Sequence, residues 1–94
     1  MKTHELKTWP GYFSAIAQGR KRFELRFNDR DFAVGDVLHL RSWNNETEEY
    51  DGRELLAAVD YFLSVHGGLE TGYVLMSITL IYVNYNPDEN LMES

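Results

Sequence analysis

Gly19-Arg20-Lys21-Arg22-Phe23-Glu24-Leu25-Arg26-Phe27 holds the change of period on which the fold turns. From Arg22 to Phe27 the chain alternates, with Phe23, Leu25 and Phe27 on one side and Arg22, Glu24 and Arg26 on the other, as a β-strand requires. Upstream the spacing is helical. Trp9, Phe13 and Ile16 recur at offsets of four and three, Thr8 is suited to cap, Pro10 fits a first helical turn and Gly19 fits the stop. The stretch therefore reads as a short helix of about two turns running into a strand over 22–27, with Lys21 at the junction.

Working outward, residues 3–8 read as an opening strand. Asn28-Asp29-Arg30-Asp31 reads as a loop of residues that bond their own backbone. Val34-Gly35-Asp36 reads as a tight turn into a strand over 37–43, and residues 44–53 as a solvated hairpin loop. Residues 73–83, with two tyrosines and several β-branched side chains, predict another strand. Residues 54–65 are ambiguous. Leu55, Val59, Phe62 and two alanines lean towards a helix, whereas Tyr61, Phe62 and Val65 suit a strand. His66-Gly67-Gly68 breaks the element. Together these predict one α+β domain over residues 1–85 with several antiparallel strands, able to close as a barrel, followed by an acidic, flexible tail over 86–94.

Composition bounds the function. Ninety-four residues suit one domain, and 44% hydrophobic content with seven glycines and two prolines suits a packed core. No cysteine is present, which excludes disulfides, thiol chemistry and cysteine-ligated zinc. The longest apolar runs fall well short of the roughly 20 residues that span a bilayer, so no membrane association is expected. The opening has no hydrophobic stretch, so no secretion signal is expected, and the default location is cytoplasmic. Nine Lys and Arg against fifteen Asp and Glu give a net charge of −6, which argues against a broad grip on a duplex. The positive charge is concentrated, however: Arg20, Lys21, Arg22, Arg26 and Arg30 are five of the nine cations.

That concentration defines the candidate site. Glu24 and Arg26 share a strand face roughly 6–7 Å apart, and Lys21 can reach the same place. A carboxylate that accepts and a guanidinium that donates can together read a nucleobase edge. The same pattern also suits a solvated outer face with cross-strand ion pairs. Arg30 is a candidate phosphate ligand, or the partner of an aspartate in a braced loop. His4, His39 and His66 lack ligand spacing, so neither a metal nor another cofactor is expected. Glu48-Glu49 and Asp88-Glu89 read as solvated charge, Gly67-Gly68 lacks the lysine and helix of a phosphate loop, and no serine or threonine has an evident base beside it. Trp9, Tyr12, Phe13, Phe23 and Phe27 fall mostly at core periodicity, and Tyr12 and Trp43 are the candidate exposed stacking platforms.

Gly19-x-Lys21-x-x-Glu24-x-Arg26, preceded by a helix and followed by Gly35-Asp36, resembles the ASCH domain, a branch of the PUA-like fold. The string Phe23-Glu24-Leu25-Arg26, the Asn28-Asp29-Arg30-Asp31-Phe32 loop, His4-Glu5-Leu6-Lys7, Tyr12-Phe13 and Gly72-Tyr73-Val74-Leu75 with Ser77 are similar to a small bacterial and bacteriophage ASCH-like family of unknown function. The resemblance implies a β-barrel of five to six mostly antiparallel strands with one or two short helices beside it, and makes residues 54–63 a strand against local propensity. It implies RNA or nucleotide-like ligand binding in a cleft between barrel and helix, lined by Lys21, Glu24 and Arg26, with Asp29 and Arg30 at the rim and Tyr73 and Ser77 as neighbours. Some small relatives hydrolyse acetylated cytidine with a lysine beside a threonine nucleophile and a glutamate. Here Lys21 is kept but Glu24 stands at the threonine position, so an amidohydrolase using Lys21 and Glu24 is an alternative to binding alone. A third expectation, from net charge, is an acidic module that meets a basic protein.

Overall fold

The computed structural model describes residues 1–64 and 71–84. Strand β1 (Thr3–Thr8) leads into helix α1 (Pro10–Ala17), then strands β2 (Phe23–Phe27), β3 (Val37–Asn44), β4 (Glu49–Ser64) and β5 (Tyr73–Val83). They form one five-stranded sheet in the order β1-β3-β4-β5-β2. β3, β4 and β5 make an antiparallel meander, β2 adds antiparallel to β5, and β1 adds parallel to β3. The sheet is thus mixed, not uniformly antiparallel, and α1 is the one helix among the described residues.

The two edge strands, β1 and β2, do not hydrogen-bond to each other through their backbones, yet the sheet curls until they are neighbours. Arginines from the β2 side reach across: Arg26 Nη2 donates to Lys7 O at 3.0 Å, and Arg30 Nη1 donates to Glu5 O at 2.9 Å. Glu5 and Lys7 lie two apart on β1, so their carbonyls point to the same edge. The guanidinium groups occupy carbonyls that an exposed strand edge would otherwise offer to another chain. The result is a half-barrel whose seam is held by side chains.

Its concave side holds the core. Leu6, Leu38, Leu40, Leu55, Ala57, Val59, Val74, Met76 and Ile78 line the sheet, and Phe13, Ile16 and Phe32 fill the opening. α1 buries Phe13 and Ile16, while Trp9 and Tyr12 remain exposed. Arg53 on β4 also pins the helix. Its guanidinium donates to Ser14 Oγ, Ser42 Oγ and Asp51 Oδ2, and lies 5.1 Å from the Phe13 ring. Burial pushes the Asp51 carboxyl up, but hydrogen bonds from Arg53 and Ser42 outweigh it and hold it below the usual carboxylate range.

Four local expectations change. Residues 54–64 are strand, as the family resemblance implied and local propensity did not, because β4 pairs with β3 on one side and β5 on the other. The loop after β3 is shorter than 44–53, since β4 begins at Glu49. Thr8 does not cap α1. It is a buried residue of β1, Trp9 holds the cap position without a side-chain bond, and Pro10 opens the helix as expected. The faces of β2 are inverted: Phe23, Leu25 and Phe27 are 47%, 50% and 54% exposed, while Glu24 is 3% exposed. The tail over 86–94 and His66-Gly67-Gly68 lie outside the described residues.

Asp36, in the turn before β3, ties β1 to the meander. Its carboxylate accepts from Lys2 N at 3.0 Å and Ala33 N at 3.1 Å, and lies 2.8 Å from His4 Nε2; the His4–Asp36 contact is buried and the two backbone bonds are partly so. The hydrogen bond with His4 is the largest influence and outweighs the opposing effect of burial, and with the two backbone donors it holds the Asp36 carboxyl at about 2, against an ordinary 3.8. A depressed folded-state pKa stabilises the fold above the unfolded value, and that contribution is lost as pH falls through the folded one. The shift corresponds to about 2 kcal/mol, present above pH ~4 and lost towards pH ~2. Asp36→Ala is expected to cost about 3 kcal/mol by denaturant unfolding at neutral pH, and to flatten the fall in stability between pH 4 and 2. An unchanged acid-unfolding profile would remove this role from Asp36.

Candidate functional site

The site forms where α1 ends and β2 begins. Gly19 has φ +78°, the left-handed conformation that suits a residue without Cβ. Gly19 N donates to Ile16 O and Arg20 N to Ala15 O, the paired bonds of a Schellman stop. Lys21 N also donates to Ala15 O, so the helix end fixes the backbone of Lys21. Its side chain then lies with Nζ 5.4 Å from the Tyr12 ring centroid and 4.7 Å from that of Phe23.

Glu24 points into the half-barrel opposite Met76. A carboxylate there needs compensation, and cations supply it on both sides. Lys21 Nζ donates to Glu24 Oε1 at 2.6 Å, and Arg26 Nε donates to Glu24 Oε2 at 2.8 Å. Lys21 also donates to Phe23 O, and Arg26 Nη2 to Thr8 Oγ1 at 3.2 Å as well as to Lys7 O. Arg26 Nη1 makes no hydrogen bond among the described residues.

Above this trio lies a cleft of about 510 Å³, lined by Lys7, Thr8, Trp9, Tyr12, Phe23 and Leu25 as well as the three charged residues. Trp9 and Tyr12 stack at its mouth, 5.9 Å between centroids and 10° from parallel. A second groove of about 540 Å³ abuts it, sharing Trp9, Tyr12, Lys21 and Phe23 and adding Arg20. Both volumes are in the range of small-molecule sites.

Of the residues singled out by sequence, Lys21, Glu24 and Arg26 converge and Tyr12 is exposed beside them. Trp9 and Phe23, read at core periodicity, line the cleft as well, and the remaining candidates lie elsewhere. Asp29 and Arg30 pair loosely with each other at 3.9 Å, and Arg30 is engaged with the backbone of β1. Tyr73 and Ser77 sit opposite Phe27 and Phe23 on the convex face, away from the cleft. Trp43 is half-buried, with Lys7 Nζ 4.4 Å from its ring centroid. Among the described residues no group of His, Asp or Glu has metal-binding geometry. His39 instead lies 2.7 Å from Glu54 and 3.6 Å from Glu5. Sequence reasoning placed Thr8 as a helix cap and Trp9 at core periodicity, whereas both face the cleft, because β1 ends beside β2.

These features define a small mixed-sheet α+β domain with an aromatic-walled, charge-floored cleft at its seam. The chain belongs to the family described as Domain of unknown function (DUF3850), whose model matches residues 3–78 and so includes every residue lining the cleft. It is also 35% identical over 75 residues to the "Uncharacterized 12.9 kDa protein in GpA 3'region" of Escherichia phage P2, a match covering 80% of this chain and 66% of the relative. The chain thus spans just under two thirds of that relative's length. Among the described residues no helix is long and apolar enough to cross a membrane.

The floor's stability depends on Glu24. Glu24→Gln leaves two cations facing a neutral amide, and an expected loss of about 2 kcal/mol follows from the cost of breaking a largely buried pair. Glu24→Gln combined with Lys21→Met is expected to recover part of it. A double variant whose loss equals the sum of the losses of Glu24→Gln and Lys21→Met measured singly would mean the two residues are uncoupled.

Proposed function

We propose that the cleft binds a nucleobase of a single-stranded RNA or a nucleotide-like small molecule, and that the domain is an ASCH-type module of the PUA-like fold. The observation that carries this reading is the convergence of Lys21, Glu24 and Arg26 on the floor of a cleft walled by Trp9, Tyr12 and Phe23. A nucleobase is flat, with an edge of donors and acceptors. The aromatic walls meet its faces. For its edge the floor offers Arg26 Nη1 as donor, and Glu24 as acceptor with lone-pair capacity beyond its two ion pairs. Lys21 adds positive charge where a sugar-phosphate would enter. The curled sheet, the helix beside the cleft and the sequence motif all favour the ASCH assignment.

Net charge selects the kind of ligand. A chain at −6 repels a long polyanion, while a local cluster of cations suits one exposed base or a short segment. Hydrolysis is the less favoured reading: Lys21 Nζ is held by Glu24 and Phe23 O, and no hydroxyl lies within hydrogen-bond distance of it among the described residues.

Titration of mixed-sequence RNA tetramers and of single nucleosides, read by Trp9 fluorescence, tests the proposal. Tyr12→Ala is expected to weaken binding about 5- to 100-fold, in line with ~1–3 kcal/mol for a stacked base, without altering thermal stability. Arg26→Ala and Glu24→Gln are expected to abolish binding. No binding of any probe at millimolar concentration, or binding indifferent to Tyr12→Ala and Lys21→Ala, overturns it.

A further inference from the structure

The convex face of β2, β5 and the end of β4 is apolar. The strand register builds it row by row: Leu25 beside Leu75 beside Leu63, Phe23 beside Ser77 beside Tyr61, and Phe27 beside Tyr73. None of these positions carries a charge, in a chain that is 26% charged. Asp60 stands at the margin, in the bulge of β4, and accepts a hydrogen bond from Thr79. Phe27 is held in place rather than loose: its ring lies so close over Gly72 that an added Cβ would come within 2.5 Å of it, and it meets Tyr73 edge-on at 5.5 Å.

We infer that this face is the interface of a symmetric homodimer, in which the β2–β5–β4 faces of two copies stack. Two arguments carry it. The first is area. Phe23, Leu25, Phe27 and Tyr61 are 47%, 50%, 54% and 67% exposed. At ~150–250 Å² per aromatic side chain they leave roughly 400 Å² of apolar surface in water. That equals the largest patch expected on a whole monomer, and about half of what each side of a standard interface contributes. The half-buried Leu63, Tyr73 and Leu75 between them extend it, and two sheet faces pack this way at about 10 Å.

The second argument is charge. Copies at −6 repel one another, and a face that opposes no like charges adds nothing to that repulsion, a condition this face meets. A basic partner would find no acidic group on it, and a nucleic acid would bring phosphates to an uncharged surface of an acidic body. A second copy brings the same neutral, aromatic-rich face. The cleft lies on the seam side of β2 and shares Phe23 and Leu25 with this face, so the dimer would reach the rim of the cleft without entering its charged floor.

Sedimentation equilibrium of the full chain from 1 to 200 µM tests the inference. The wild type is expected to rise with concentration from 11.0 kDa towards twice that mass. Tyr61→Glu and Phe27→Glu each place an added negative charge on the face, and are expected to weaken the dimer at least 10-fold while circular dichroism stays unchanged. Should Phe27→Glu unfold because of its contact with Gly72, the more exposed Tyr61→Glu carries the test. A wild type that is monomeric at 200 µM overturns the proposal. So does a dimer that Tyr61→Glu leaves intact, and so does a monomer whose affinity for an RNA tetramer falls on Tyr61→Glu, since the face would then belong to the ligand.

Discussion

The arrangement depends on one buried carboxylate. Glu24 sits on the concave side of β2 at a depth where an unpaired charge would be strongly destabilising. It is tolerated because Lys21 and Arg26 each take one of its oxygens. Those two bonds fix other things in turn. Lys21 is anchored to the end of α1 through its backbone, so the ion pair sets the helix against the strand. Arg26 continues to Lys7 O and Thr8 Oγ1, so the same carboxylate orients the group that bridges the two sheet edges. Helix, edge strands and cleft floor meet at a single side chain.

A second buried polar centre does comparable work at the other end of β1. Asp36, His4 and the backbone of Lys2 and Ala33 set the start of the parallel β1–β3 pair, which no tight turn can position. Between these two centres β1 is held along its length. One edge takes the β3 ladder and the other takes guanidinium groups.

Much of the fold is legible in the sequence where local and tertiary preferences agree. The run from Tyr73 to Val83 is strand by composition and by pairing alike, with its observed ends as expected. Gly19 stops the helix for a reason intrinsic to its backbone. Local reading fails where tertiary context overrides it. Ala57 and Ala58 favour helix in isolation, but β4 is flanked by ladders on both sides and Ala57 is fully buried at a bulge. Alternation along β2 separates two faces without saying which one is buried. Charged residues usually face water; here neutralisation by neighbours brings Glu24 inward and leaves three large apolar side chains outside. In the site, the spacing Lys21, Glu24, Arg26 was readable because the three lie within six residues. Thr8 at the end of β1 and Trp9 at the cap of α1 join with no sequence signal tying them to β2, and Arg30 serves the edge of β1 because nothing local reveals where a distant strand ends.

A seam closed by arginines differs mechanically from one closed by a ladder. Parting β1 from β2 breaks no main-chain pairing, and each guanidinium that lets go of a carbonyl can be rehydrated at once. The β3–β4–β5 meander is joined throughout by main-chain ladders, and the two lips of the cleft are borne on its opposite margins like the jaws of a spring clip. The width of the opening is therefore set by side-chain contacts, whereas main-chain ladders set the scaffold beneath it.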